Sequence, residues 1–216
     1  VDALIRALNG TDSDLQSGAA RALGYIGDER AVSSLIEAMG SEDFTVRRIA
    51  IDALTGIGEN AIPYLSEALL HSERRVRSGA AECFGQVGYE PASEQERINL
   101  LVANEEWLEI TRMGASAVDV LIYFTDDANE EVRAGAVAAL GRVGGSKAVT
   151  TLAGILTSDN PDARLEAMNA LADMGQKAVP ELVEIKKEAK NPVQLDAIEQ
   201  ILDLMRRRTP PRQAAG

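Results

Sequence analysis

Few residues of this chain have the types and spacing needed for covalent or metal chemistry. Its one histidine, His71, lies in a predicted turn, and its one cysteine, Cys83, falls in a buried alanine column, so the two are too few and too far apart in role for a His/Cys metal site. The acidic run at 126–131 has enough carboxylates for a weak calcium site, but it lacks the spaced ligands and the glycine of an EF-hand loop. That run is more typical of a solvated turn that caps a helix. The sequence therefore predicts a protein that is not an enzyme and that uses no cofactor or metal.

The elements that must position any functional residue come from a helical segment that recurs along the chain. The segment at 18–27, Gly-Ala-Ala-Arg-Ala-Leu-Gly-Tyr-Ile-Gly, returns in four variants, at steps of 31, 30, 56 and 31 residues. A period of this size is typical of stacked helical repeats. Each complete repeat is predicted to have a first helix that ends at a glycine and a second helix after it. One alanine column should be buried in the first helices: Ala19, Ala50, Ala80, Ala136 and Ala167.

Helical spacing of apolar residues predicts which faces are buried. In the first helix at 13–26 we expect a buried stripe, and small residues such as Gly24 and Gly141 should let adjacent repeats approach closely. Residues 1–8 match a second helix that lacks its own first helix, so an exposed apolar patch there should promote self-association. The stripe is Leu15, Ala19, Ala22, Leu23 and Ile26, and the patch is Val1, Leu4, Ile5 and Leu8.

The third repeat departs from the pattern after Gly88. The usual second helix is not expected there, and a capping-box pattern from Ser93 to Glu96 opens a different helix. A short helix that holds Trp107 follows, and Gly114 then restores the second-helix pattern. We therefore predict a repeat domain at 1–205 with a helical insertion at 89–113, followed by a flexible C-terminal tail at 206–216.

The Val-Arg, Ala-Leu-Gly-x-Ile-Gly and Ala-Val-x-x-Leu-Ile elements resemble the short HEAT-like repeats of the phycobilisome lyase type. The resemblance covers roughly residues 1–205 and implies an all-α fold, a right-handed α-solenoid of stacked HEAT-like helix pairs whose second helices line its concave side. Families of this kind include scaffolds, chromophore lyase subunits and deoxyhypusine hydroxylases. The repeated His-Glu iron ligands of those hydroxylases do not occur here.

An arginine recurs at one position of the first helices, beside acidic loops. An anion-binding stripe is one interpretation, but a ladder of Arg–Asp pairs between repeats, which also caps helices, is favoured. The residues are Arg47, Arg77, Arg133 and Arg164.

The outward columns of the second helices contain acidic residues, two tyrosines and no lysine. A solvated helix face is one interpretation, and a concave groove for a basic or amphipathic protein partner is the other. The candidate contacts in the groove are Glu37, Tyr64, Glu67, Asp119, Tyr123, Glu181 and Glu184, and the insertion offers Tyr89 and Trp107. The spacing between Trp107 and Ile110 favours a core position for the tryptophan.

Net charge decides among several classes of function. At −12, the chain should repel nucleic acids and anionic membranes, and this argues against a HEAT-like DNA glycosylase. The single cysteine, with no apolar run of membrane-spanning length and no visible signal, indicates the cytoplasm. The leading hypothesis is a non-enzymatic, cytoplasmic protein-interaction scaffold. The alternative is an accessory subunit of a bilin (tetrapyrrole) lyase or a related enzyme complex.

Overall fold

The structure is a computed structural model that describes residues 1–208. Within that range all regular elements are helices, which confirms the predicted all-α fold of stacked helix pairs. The α-helices are α1 (Asp2–Leu8), α2 (Ser13–Ile26), α3 (Val32–Ala38), α4 (Phe44–Ile57), α5 (Ile62–Ala68), α6 (Arg74–Val87), α7 (Glu94–Ala103), α8 (Trp107–Arg112), α9 (Val118–Phe124), α10 (Glu130–Val143), α11 (Ser146–Ile155), α12 (Pro161–Met174), α13 (Val179–Glu188) and α14 (Pro192–Arg208).

The chain forms two compact units, Val1–Glu106 and Trp107–Gly216, the second of which is described as far as residue 208. In the first unit, the first helices α2, α4 and α6 pack side by side, and the second helices α1, α3 and α5 lie against them. In the second unit, α8, α10, α12 and α14 pack in the same way, and α9, α11 and α13 are the second helices. Each unit is therefore an α-solenoid segment of helix pairs.

Small residues let the first helices approach closely, as predicted. All five residues of the alanine column are buried. A Cβ atom at Gly24 would lie 2.7 Å from the Cα atom of Ala53, and one at Gly141 would lie 2.9 Å from the Cβ atom of Ala170. Glycine inside a helix costs roughly 1 kcal/mol relative to alanine. Here the close packing of neighbouring helices requires it.

The stripe predicted to be buried on α2 is exposed at both ends. Leu15 is 62% exposed and Ile26 is 52% exposed, whereas their equivalents on α4, Val46 and Ile57, are 0% and 9% exposed. This difference arises because α2 covers that face of α4, while no described helix covers the same face of α2. The prediction for Leu15 and Ile26 was therefore wrong.

The apolar patch predicted on α1 is less exposed than expected. Leu8 is 2% exposed because it packs into the core of the first unit, and the other three residues of the patch are half-buried. The larger apolar exposure lies on α2.

The segment at 89–113, predicted to be an insertion, contains the helices α7 and α8. A second helix does follow α6, because α7 packs on α6 and Glu96 of α7 accepts a hydrogen bond from Ser66 of α5. In the second unit α8 packs on α10, and α9 follows it as its second helix. The first helix α8 has only six residues, which is too short to display the alanine column.

The last helix extends beyond the predicted end of the repeat domain. It reaches Arg208, so residues 206–208 are helical although they were assigned to the tail. The rest of the predicted tail, 209–216, lies outside the described residues.

The recurring arginines bind backbone carbonyl groups of the loop before each first helix. Arg47 donates to the carbonyl oxygens of Ser41 and Glu42 at 2.6 and 2.9 Å, and Arg164 donates to that of Ser158 at 2.6 Å. Arg77 and Arg133 make the equivalent bonds to His71 and Asp127, at 2.7 and 3.0 Å. These contacts are with backbone carbonyl groups, whereas the prediction paired the arginines with acidic side chains. Asp43 caps α4 by accepting hydrogen bonds from the backbone N–H groups of Thr45 and Val46, whereas Glu73 makes no such cap bond on α6.

Candidate protein-binding surfaces

In the first unit, α3 and α5 present the candidate residues outward. These neighbouring helices bury Leu35 and Leu65 on their inner face. Glu37 and Glu67 hold equivalent positions on the opposite face, where the side chain of Glu37 is 71% exposed. Tyr64, one turn before Glu67, is 39% exposed. We call Glu37, Tyr64 and Glu67 the first-unit surface.

The carboxylates of the first-unit surface form no ion pair with a lysine or arginine among the described residues. Glu67 makes no hydrogen bond or ion pair with any described residue. Glu37 lies 3.7 Å from Nε2 of His71, which is too long for a hydrogen bond. The Nδ1 atom of that histidine accepts the backbone N–H of Glu73 at 3.0 Å, so the neutral ring carries its proton on Nε2. Both carboxylates are therefore exposed without a hydrogen bond to another described side chain.

A groove of about 440 Å³ lies next to Glu37, between α1 and α3. Ser33 and Ser34 line it with Glu37, and Leu8 contributes an apolar part of the wall. Hydroxyl groups beside a carboxylate are suited to hydrogen-bond a cationic side chain and its neighbouring backbone.

In the second unit two acidic residues of the outward columns are paired with lysines. Asp119 of α9 forms an ion pair with Lys147 of α11, and Glu184 lies 2.7 Å from the Nζ atom of Lys187. Glu181 is half-buried. Asp119 and Glu184 are therefore partly compensated by exposed lysines, whereas Glu181 has no ion pair among the described residues.

The two lysines were missed because they lie outside the three outward columns. The spacing of three residues between Glu184 and Lys187 on one helix was a usable signal. Lys147 lies 28 positions from Asp119, so only the repeat register could have suggested that pair.

Tyr123 is the exposed aromatic candidate of the second unit. It is 61% exposed and packs edge-on against Phe124, with ring centroids 5.1 Å apart. We call Asp119, Tyr123, Glu181 and Glu184 the second-unit surface.

Tyr89 is engaged within the first unit. Its ring stacks on Phe84 at 4.8 Å, and its hydroxyl donates to Oε2 of Glu96 at 3.1 Å. Glu96 also accepts hydrogen bonds from the Ser66 hydroxyl and from the backbone N–H of Ala92. Partial burial raises the pKa of Glu96, but these hydrogen bonds outweigh it and hold that pKa below its usual value. Burial and the Glu96 acceptor raise the pKa of Tyr89.

Trp107 is half-buried and packs inside the second unit. Its indole lies over Gly135 of α10, where an added Cβ atom would be 2.2 Å from the Cε2 atom of the indole. Tyr89 and Trp107 were predicted as possible partner contacts in the insertion. In the structure both are half-buried, and their rings make contacts within their own units.

Cys83 is fully buried, and its Sγ atom lies 3.7 Å from the carbonyl oxygen of Ile51. Burial raises the pKa of its thiol to about 11, which suppresses the reactive thiolate. Among residues 1–208, no group of three or more His, Cys, Asp and Glu residues is placed to hold a metal ion. None of the described helices is both long enough and apolar enough to cross a membrane.

A cleft that the sequence did not indicate lies between α10 and α12, with a volume of about 480 Å³. Its lining carries charges of both signs, from Arg142, Lys177, Glu166 and Asp173. Burial raises the pKa of Glu166, and its Oε2 atom has no hydrogen-bond partner among the described residues. The mixed charges favour neither an anionic nor a cationic ligand.

Comparison with known proteins gives the family. The model of the HEAT repeats matches residues 1–85 and 118–202, leaving out the stretch that contains α7 and α8. Phycocyanin operon protein Z of Pseudanabaena tenuis is 28% identical over 153 residues, which cover 68% of this chain and 65% of that protein. The chain therefore spans about two thirds of the length of this relative.

Solved structures of the same general architecture are more distant. Human deoxyhypusine hydroxylase is 20% identical with a TM-score of 0.40, and the match covers 94% of this chain and 83% of the hydroxylase. The complex of CpcE and CpcF of phycocyanin lyase from Nostoc is 20% identical with a TM-score of 0.34, over 94% of this chain and 93% of the matched one. The predicted resemblance to HEAT-like repeats of the phycobilisome lyase type is confirmed. Since the family model matches most of its residues, this chain belongs to the family of HEAT-repeat proteins.

Proposed function

We propose that this protein is a non-enzymatic interaction scaffold that captures a basic or amphipathic protein segment on the first-unit surface. The observation that carries this proposal is the pair of exposed glutamates, Glu37 and Glu67, which form no ion pair with a lysine or arginine among the described residues. HEAT-like solenoids present extended surfaces of this kind to protein partners.

The surface combines two properties that a binding site for such a segment needs. Exposed like charges on successive helices raise the local concentration of a cationic partner and speed its capture. Tyr64 supplies an amphipathic ring between the charges, and tyrosine is enriched among residues that dominate binding energy. The groove between α1 and α3 gives the partner a place beside Glu37.

The second-unit surface is the weaker site of the two. Tyr123 offers more exposed ring area than Tyr64, but the carboxylates of Asp119 and Glu184 are paired with lysines. We therefore expect the second-unit surface to bind a partner mainly through apolar contact with Tyr123 rather than through electrostatic attraction. We place the scaffold in the cytoplasm, where Cys83 stays reduced, and expect neither nucleic acid nor anionic lipid as a partner of a chain with charge −12.

A photo-crosslinking amino acid at position 67 tests the proposal in the native cell. A matched control carries the same amino acid at Arg21, which is exposed on the first helix α2. We expect a strongly basic protein, or one with a basic amphipathic segment, to crosslink at position 67 and not at position 21. An acidic partner at 67, or equal capture at both positions, would contradict the proposal.

The alternative is an accessory subunit of a bilin lyase. The similarity to a phycocyanin operon protein supports it, although at 28% identity over part of both chains. Absorbance in the visible range after incubation with a free bilin separates the two functions. A scaffold should leave the bilin spectrum unchanged, whereas a subunit that binds the chromophore should shift it.

Self-association through the N-terminal helices is a separate part of the proposal. It is supported by the exposure of Leu15 and Ile26 on α2 and by the partial exposure of the apolar residues of α1.

A further inference from the structure

The cleft between the first helices α10 and α12 has an equivalent between α2 and α4 of the first unit. The alanine column aligns the two, since Ala19 corresponds to Ala136 and Ala50 corresponds to Ala167. In this register, each residue that lines the groove of about 370 Å³ between α2 and α4 has its counterpart in the lining of the α10–α12 cleft. A groove at this place is therefore a property of the repeat, and the side chains that differ give the second-unit cleft its own chemistry.

The two grooves differ in where their charged residues lie. In the first unit, Arg21 and Asp52 occupy equivalent positions of successive helices, so the opposite charges lie at one level. In the α10–α12 cleft, Glu166 takes the position of Ile49 and brings a carboxyl group to one end. Arg142 lies about two helical turns further along, which is a distance of about 10 Å at 1.5 Å per residue. The charges of this cleft are therefore separated along its length.

The acidic end carries a carboxyl group with unused hydrogen-bonding capacity. The Oε2 atom of Glu166 is buried and has no hydrogen-bond partner among the described residues. Burial raises the pKa of this group; the charge of Arg133 opposes the shift, and those of Glu130 and Asp162 add to it. Arg133 forms no ion pair with Glu166. A cationic donor from a ligand, such as an ammonium group, would satisfy the buried oxygen and stabilise its charged form.

The basic end is formed by Arg142 and by Lys177, which lies in the turn after α12. Neither side chain makes an ion pair with a described residue. Asp173 lines the same end, so two cations and one carboxylate leave a net charge of one positive unit there. Small residues such as Ala138 and Gly141 line the stretch between the two ends. The cleft is thus complementary to a molecule with an apolar body and opposite charges at its ends.

We propose that the α10–α12 cleft binds an elongated zwitterion, with its ammonium group at Glu166 and its carboxylate at Arg142 and Lys177. The volume of about 480 Å³ falls in the range of small-molecule sites. The charges of the lining cancel in sum, so a purely anionic or cationic ligand would leave one end unpaired, whereas a zwitterion pairs both. This site is separate from the first-unit surface, and the proposed capture of a basic partner does not depend on it.

Matched probes test the order of charges in the cleft. The zwitterion 8-aminooctanoate has its two charged groups at a suitable separation, whereas octanoate and octylamine carry one charge each. Isothermal titration should show the zwitterion binding roughly tenfold or more tightly than either single-charge probe. Trialanine, a zwitterion of similar length, distinguishes two sources of this chemistry. Tighter binding of trialanine would identify a short peptide as the ligand and weaker binding an ω-amino acid, and both outcomes support the proposal.

Single substitutions assign the two ends. Glu166→Gln keeps the shape of the side chain and should weaken binding of 8-aminooctanoate by roughly tenfold, with little effect on octanoate. Arg142→Gln, at an exposed position, should weaken binding of both probes. The control Arg21→Gln alters the equivalent groove of the first unit and should change neither. No saturable binding of either zwitterion, equal affinities for the zwitterion and the single-charge probes, or a Glu166→Gln variant that binds like the parent would overturn the proposal.

Discussion

The first-unit and second-unit surfaces carry similar residues at similar repeat positions, yet their electrostatics differ. In the first unit, Glu67 has no described partner and Glu37 faces only a distant imidazole. In the second unit, Lys147 and Lys187 pair with the acidic residues. The repeat register determines which side chains point outward. Lysines that lie outside the outward columns determine the electrostatic field at each surface.

The same contrast extends to the aromatic residues. Tyr64 stands beside unpaired carboxylates, while Tyr123 stands beside neutralised ones. Tyr89 and Trp107, from the irregular segment between the regular repeats, are used to hold α7 and α8 in place. Exposed aromatic residues in the outward columns are therefore better candidates for binding than those of the irregular segment.

The largest expected effect concerns the structural role of Trp107 in the second unit. Gly135→Ala should destabilise that unit by about 1–3 kcal/mol or more, because the new Cβ atom would overlap the indole ring. The control Gly154→Ala, in α11, meets no described atom within 4 Å and should be neutral or stabilising. Urea unfolding followed by tryptophan fluorescence reports on this unit, since Trp107 is the one tryptophan of the chain. Equal midpoints for both variants would show that Trp107 is free to serve as a contact.

The next largest expected effect is the loss of partner affinity on charge reversal, which should differ between the two surfaces. Replacing both Glu37 and Glu67 by lysine should weaken binding of a basic partner by roughly tenfold or more, because it removes the unpaired acidic field. The matched change of Asp119 and Glu184 to lysine should have an effect of about threefold or less, since those charges are already compensated. Isothermal titration at low salt measures both. Equal losses would mean that the lysine pairs do not weaken the second-unit surface.

The tyrosines should govern how long the partner stays bound. Tyr64→Ala should raise the off-rate by roughly tenfold if the ring is buried on binding, and Tyr123→Ala should raise it by less. Surface plasmon resonance resolves the two rates, and conservative Tyr→Phe variants show whether the hydroxyls contribute. A larger effect at Tyr123 would move the main site to the second unit.

The smallest effect expected is the pH dependence of the first unit. The folded pKa of Glu96 lies below its usual value, so its contribution is present above that usual value and is lost as pH falls through the lowered pKa. Glu96→Gln should therefore cost stability near neutral pH and little in acid, by an amount under about 1 kcal/mol because the group is partly solvated. Unfolding curves at both pH values measure this, with Glu90→Gln, in the exposed loop before α7, as the control. If the difference in unfolding free energy between the parent and Glu96→Gln does not change with pH, the hydrogen-bonded carboxylate is not its cause.

Sequence periodicity predicted the helices and the alanine column because helix packing depends on local spacing. It could not predict that α8 is a first helix, since six residues are too few for the pattern. It assigned Leu15 and Ile26 to the core because the same positions are covered in later repeats. It also gave the arginines carboxylate partners, since sequence shows side chains and not the orphan carbonyl groups at the ends of helices.

The candidate site was predicted in part. Side-chain type and register placed the outward glutamates and tyrosines on the second helices, where the structure exposes Glu37, Tyr64, Glu67 and Tyr123. The counter-charge of Lys147 depends on the packing of α9 against α11 and became visible only in three dimensions.

The association rate of the partner captured at position 67, measured over a range of salt concentrations, tests the central claim most directly. The parent rate should fall steeply as salt rises, and Glu67→Lys should slow association and flatten that dependence while changing the off-rate little. The matched variant Asp119→Lys should keep the steep dependence of the parent. If Glu67→Lys binds like the parent at low and high salt, the first-unit surface is not the binding site and the proposed scaffold mechanism is wrong.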